Sequence, residues 1–193
     1  MDYARLSLAE VRSQLEAVAR EAESSFGFLN DRQLNRRPDE TRWSVGQCLE
    51  HLLTANQLMF RAMDSALAKA SPRTIWQRLP IWPSVCGRLM IRSQSPTSSG
   101  KYRAPAAARP ATSGIASDVV ARFIEQHRDA AERARLLDER SAGTIMISPF
   151  IRVVTYSVAD GFRLLVAHDW RHVEQARRVT HEPGFPVPPI AFQ

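Results

Sequence analysis

Apolar residues recur at steps of three and four along four long stretches of this 193-residue chain, a period that admits little besides a bundle of helices. From about Ser7 to Leu29 the series is Leu8, Val11, Leu15, Val18 and Ala22. From Ser44 to about Ala70 it is Val45, Leu49, Leu52, Leu53, Leu58, Met59 and Met63. Ser44 followed by Gln47 matches a capping box, in which the two side chains satisfy the first orphan amides of a helix. Ser117 can cap a third stretch to about Arg140, with Val120, Phe123, Ile124, Ala131 and Leu137 inward. Ser157 opens a fourth to about Thr180, carrying Leu164, Leu165, His168, His172 and Val179. The pattern predicts an all-α fold in which helices near 7–29, 44–70, 117–140 and 157–180 form one antiparallel four-helix bundle. A single domain over residues 1–193 is expected.

The stretches between are informative too. From Ser71 to Gly114 six prolines deny the chain a long helix, although Ser84 to Arg92 suits a short one. Residues 71–116 therefore read as a long irregular crossover between the second and third helices, well beyond the usual two to eight residues. Ile145 to Tyr156 is β-branched and broken by Ser148-Pro149, which reads as an extended crossover without a convincing sheet. The ending Pro183-Gly184-Phe185-Pro186-Val187-Pro188-Pro189 cannot be helical.

Net charge is +6, which raises the question of an anionic partner. Seven of the basic residues (Arg73, Arg78, Arg88, Arg92, Lys101, Arg103, Arg109) lie in the 71–116 crossover, where there is no acidic residue. Removing those seven from +6 leaves the remainder at −1, so the excess belongs to one irregular insert and not to a recognition helix. No nucleic-acid-binding motif accompanies it, and no nucleic-acid partner is expected. No apolar run approaches ~18 residues, and the first residues carry no apolar signal-peptide core, so no membrane span and a cytoplasmic location are expected. Cys48 and Cys86 have no CxxC partners, which excludes a cysteine-based zinc site and suits a reducing compartment.

His168 and His172 stand four residues apart on the fourth helix, one above the other on a single face. That spacing lets two imidazoles reach one metal ion at roughly 2.0–2.1 Å per bond. His51, bordering the apolar row Cys48, Ala55 and Leu58 of the second helix, is the candidate for a third ligand. His127, on a mixed face, and His181, after the last helix, read as solvent residues. Glu50 and Asp169 each adjoin a candidate ligand, which turns them about 100° from it, and both read as surface carboxylates. Arg171 reads as a surface or interhelical pair. Gln175, at i+3 from His172, is placed to hydrogen-bond behind the ligand. Cys48 either points into a pocket or fills core space. Trp43 either walls a pocket or packs at the helix start, and Trp76 and Trp82 either roof a cleft or anchor the insert. No general base can be assigned.

Residues 42–52, Arg-Trp-Ser-Val-Gly-Gln-Cys-Leu-Glu-His-Leu, resemble the second-helix motif of the DinB-like (YfiT-like) metalloprotein superfamily. Residues 167–177 are similar to its last-helix motif, H-x-x-R-H-x-x-Q. Weaker similarity lies in Tyr102-Arg103-Ala104-Pro105, Ser148-Pro149-Phe150 and Pro183-Gly184-Phe185-Pro186, so the resemblance spans most of residues 7–187. It implies a four-helix bundle holding a divalent metal on three histidines, matched here by His51, His168 and His172, with coordination positions left open. Zinc, nickel and iron all suit such a ligand set. Characterised members are thiol-dependent transferases or isomerases, which implies a small-molecule substrate, a low-molecular-weight thiol as co-substrate, and possible homodimers.

Three readings follow. The first is a metal-dependent enzyme, with thiol-dependent S-transfer preferred over other transfer or hydrolysis. The second is a non-catalytic, stress-associated metal-binding module. The third is an anion-binding protein acting through the basic insert.

Overall fold

The computed structural model describes residues 1–68, 74–100 and 103–186. Four long helices carry the core: α1 (Leu8–Phe26), α3 (Val45–Leu67), α6 (Val119–Arg135) and α8 (Val158–Thr180). The short helices between them are α2 (Asp31–Leu34), α4 (Ile75–Arg78), α5 (Trp82–Gln94) and α7 (Glu139–Ala142). The four expected helices are all present. Ser44 and Gln47 cap α3 reciprocally, and Ser157 accepts the Asp160 amide at the start of α8. Asp118, not Ser117, precedes α6, and it makes no side-chain cap. The first helix stops at Phe26 instead of Leu29, because Asn30 and Gln33 form a capping box of their own and start α2. The third stops at Arg135, and Asp138 with Ser141 caps α7. The end expected for the second helix, Ala70, and the proline tail from Val187 lie outside the described residues.

The helices do not pack as four antiparallel neighbours. Trp170 of α8 donates to Gln14 of α1 and Arg177 faces Glu21, so these two helices run parallel. Gln126 of α6 donates to the Leu53 carbonyl and Arg133 to Asp64, so α6 runs parallel to α3. Antiparallel pairs are α1 with α6 and α3 with α8. In the first, Val11 and Leu15 share a core cluster with Ala130 and Ala134, while Val18, Ala22 and Phe26 share another with Val119 and Phe123. In the second, Gly161 lies against Met63, Asp169 against Asn56 and His172 against His51. The reason for the long insert follows. Because α3 and α6 point the same way, the chain leaving α3 at one end must climb the whole bundle to begin α6 at the other.

The described part of that climb is well tied down. Helix α5 lies along α8 and the Thr155–Ser157 segment that precedes it. Gly87 allows the approach, since a Cβ there would stand 2.8 Å from an Asp160 carboxylate oxygen. Further on, Gln47 donates to the Ala111 and Thr112 carbonyls, and Asn35 both accepts from and donates to the Ile115 backbone. The Ile145–Tyr156 tract, expected as a crossover without sheet, is a hairpin: β1 (Ile145–Ile147) pairs antiparallel with β2 (Thr155–Ser157). Alternation explains it, for Met146 and Tyr156, opposite each other, are both fully buried. Among the described residues no helix is long and apolar enough to cross a membrane.

Candidate metal centre

Antiparallel packing of α3 and α8 sets the candidate histidines level. His51 lies about two turns after the start of α3, and His168 and His172 two to three turns before the end of α8. All three rings meet, with centroids 4.7–5.2 Å apart, and each offers one ring nitrogen within 4.8 Å of the others. His51 Nδ1 donates to the Ala108 carbonyl at 2.5 Å. That bond fixes the tautomer and leaves the Nε2 lone pair facing His168 Nε2 at 3.3 Å. Two ligands of one tetrahedral ion at ~2.0–2.1 Å stand roughly 3.3–3.4 Å apart, so this pair already has the spacing. His172 Nδ1 is buried with no hydrogen-bond partner. Three buried imidazoles packed ring to ring, one of them with an unpartnered nitrogen, fit a cation better than they fit an empty polar pocket.

The electrostatics agree. Burial pushes His51 below its ordinary value, opposed by the Ala108 bond. It pushes His168 well below, with His172 and His51 adding repulsion. His172 is pushed down to about 3, first by burial and then by His51, with Gln175 opposing. Gln175 is near enough to oppose that shift, but the hydrogen bond expected from it to His172 is not formed. At neutral pH all three imidazoles are uncharged, the form that coordinates a metal.

The histidines wall one end of a cavity of about 290 Å³, bounded by α3, α5, α8, the 103–108 segment and the hairpin tip. Trp43 forms part of this wall, its ring 4.9 Å from His51 and 5.8 Å from His172. Cys48 does not reach the cavity. It is fully buried among Leu49 and Leu52, and burial holds its thiol up at about 12, which keeps it protonated. Trp76 and Trp82 pack on each other, and Trp82 donates to the Val153 carbonyl, so they anchor the insert to the hairpin and do not roof the site.

Four consecutive residues of α8 touch four different elements, because each is turned 100° from the last. His168 meets His51 of α3, Asp169 meets His127 of α6, Trp170 meets α1, and Arg171 meets the end of α5. This arrangement overturns three expectations. Asp169 is not a surface carboxylate, and His127 is not a solvent residue: both side chains are wholly excluded from water and joined at 2.8 Å. His127 also bonds the Phe123 carbonyl, and Asn56 donates to both Asp169 oxygens. Among the described residues Arg171 makes no ion pair. Its guanidinium donates to the carbonyls of Ser93, Ser95, Ser98 and Gly100, closing the last turn of α5 and the chain beyond it. Glu50 is half-buried and accepts from the Ala111 amide at 2.6 Å, so it anchors the crossover. His181 is exposed, as expected.

A family model described as the DinB superfamily matches residues 8–176. Among solved structures, YfiT from Bacillus subtilis, a probable metal-dependent hydrolase with an unusual four-helix bundle topology, is similar at a TM-score of 0.61 and 15% identity. The match covers 94% of this chain and 91% of that one. At that identity the likeness establishes the fold alone. No curated protein matches. The family match takes in all three histidines and most of the chain, which belongs to the DinB superfamily.

Proposed function

We propose that the chain is a divalent-metal-dependent enzyme acting on a small molecule, with His51, His168 and His172 as the ligands and transfer of a thiol to an electrophile as the preferred reaction. The observation that carries this reading is the convergence of three neutral imidazoles on the wall of a cavity large enough for a small substrate. A bound divalent ion would lower the pKa of a nucleophile beside it and polarise an electrophile.

The protein's own contribution is binding, tautomer control and exclusion of water. Ala108 holds His51 in the tautomer that presents Nε2, and Trp43 shields two of the rings. Thiol transfer is preferred because no carboxylate lines the cavity among the described residues. Asp169 is committed to His127 and Asn56, and Glu50 to Ala111. A nucleophile here must lose its proton without a side-chain base. A thiol, with an ordinary pKa near ~8.5, does so far more readily than water near ~15.7. The similarity to a probable metal-dependent hydrolase makes hydrolysis the second arm of the test.

The protein supplied in turn with zinc, nickel and iron should take up one ion per chain. The loaded protein should consume thiol in the presence of an alkylating electrophile faster than it hydrolyses esters, and His168→Ala should abolish both uptake and turnover. Failure to take up metal would sink the whole reading. Uptake without turnover would leave a non-catalytic metal-binding module.

A further inference from the structure

Beyond the histidines the cavity continues between α3 and α8. His51, Ala55 and Met59 follow one another at four-residue steps on one wall, and His172, His168, Leu165 and Leu164 descend the other. At 1.5 Å per residue each row covers about 12 Å. Met90 of α5 and Phe150 of the hairpin close the sides. Met59, Leu164 and Leu165 are buried, so the deep part is dry and lined by carbon and sulfur. Asn56 is the polar group at that depth, and its amide is turned to Asp169. Arg103 and Ile151 also line the cavity, and both are exposed, which places them at its mouth. Arg103 is the one charged side chain in the lining among the described residues. The volume of about 290 Å³ lies at the small end of the range of small-molecule sites.

We infer that the substrate is a small amphiphilic anion, with a slender apolar body lying on Met59, Leu164 and Leu165 and an anionic group at the mouth with Arg103. That this ligand is the substrate rests on the functional reading above. The deep walls decide its body: a sugar or other polyol would place hydroxyls against thioether and leucine side chains that offer them no partner, a costly burial. An alkyl chain or single ring loses nothing there. The mouth decides its charge, since the guanidinium there, with only the uncharged Ser93 and Gln94 as other polar side chains on that side, favours a carboxylate or similar anion.

The test is calorimetric titration of the metal-free protein with acetate, butyrate, hexanoate and octanoate, and with octanol. Affinity should rise roughly fourfold per buried methylene until the slot is filled. Arg103→Ala should weaken octanoate at least fivefold and leave octanol unchanged. Ala55→Phe, which sets a ring inside the slot, should weaken octanoate at least tenfold. The chain-length series needs no variant, so it stands even if Ala55→Phe does not fold. Affinity that is flat from acetate to octanoate overturns the inference, and so does octanoate binding unmoved by Arg103→Ala. Metal stoichiometry on the same samples separates the two claims. Octanoate binding in a protein that takes up no metal defeats the functional reading alone, and metal uptake without length-dependent binding defeats this inference alone.

Discussion

Replacing His127 by alanine should cost the protein far more stability than its distance from any ligand face suggests. Its ring is wholly excluded from water and bonded on both nitrogens, to the Phe123 carbonyl at 2.9 Å and to Asp169 at 2.8 Å. Acceptors on both sides require that the pair hold one proton between ring and carboxyl, so the unit is neutral overall while polar in every part. Removing the ring leaves the Asp169 carboxylate buried with only the Asn56 amide, at 3.2–3.3 Å. Losing one partner of a buried pair typically costs about 3–5 kcal/mol, which for a chain of this length corresponds to a fall of roughly 6–20 °C in Tm. The assay is urea denaturation followed by far-UV circular dichroism, with thermal melts alongside. His127→Leu combined with Asp169→Asn removes the stranded charge and keeps an acceptor for Asn56, so it should lose about 2 kcal/mol less than the sum of the two single changes. A loss below about 1 kcal/mol for His127→Ala, or strict additivity in the double variant, would refute this account of the pair.

Other outcomes follow from the same structure. His51→Ala, His168→Ala and His172→Ala should each lose metal by elemental analysis after loading with excess zinc or nickel. His181→Ala, and the folded fraction of His127→Ala, should retain it. Without metal the protein should lose stability as pH falls from about 7 to 5. Folding holds His168 and His172 below their ordinary value of 6.5, so the unfolded chain binds more protons in that window and the native state is favoured above it. The slope should approach ~1.4 kcal/mol per pH unit for each depressed histidine, and denaturation of His172→Asn at several pH values should show a shallower one. Arg171→Ala leaves the end of α5 without its shared donor. It should cost about 1–3 kcal/mol and open residues 95–100 to limited proteolysis while the far-UV spectrum stays helical.

The helices were legible because their buried faces repeat at the helical period, and the ends were legible wherever a cap is written locally, as at Ser44–Gln47 and Ser157. The convergence of the histidines was legible because i,i+4 geometry needs no tertiary knowledge and His51 borders an apolar row. Asp169 and His127 were misread for one reason: a residue 100° from a core face normally meets solvent, but α8 is flanked by other elements at this level. Nothing local to α8 marks it as enclosed. The direction of packing was also hidden, since amphipathic faces do not say whether a neighbour runs up or down. The length of the 71–116 insert was the one available sign that α3 and α6 run the same way. Arg171 was missed because its partners are backbone carbonyls, which leave no trace in side-chain identity.

The route of the chain also sets how slowly the site can come into being. Among the described residues the long helices pack most heavily on partners distant in sequence, α1 on α6 and α3 on α8, and α3 and α6, which do touch, run parallel and form no hairpin. Few helical hairpins can therefore form first and serve as a template, the route by which most helical bundles reach high speed. His51 and His168 are separated by 117 positions and His51 and Ala108 by 57, so the chain must close long loops before any contact of the site exists. Such long-range pairing should make the chain fold more slowly than an up-and-down bundle of its size. The candidate metal centre should then be a late product of folding, its histidines brought together only once the crossover has been laid across the bundle.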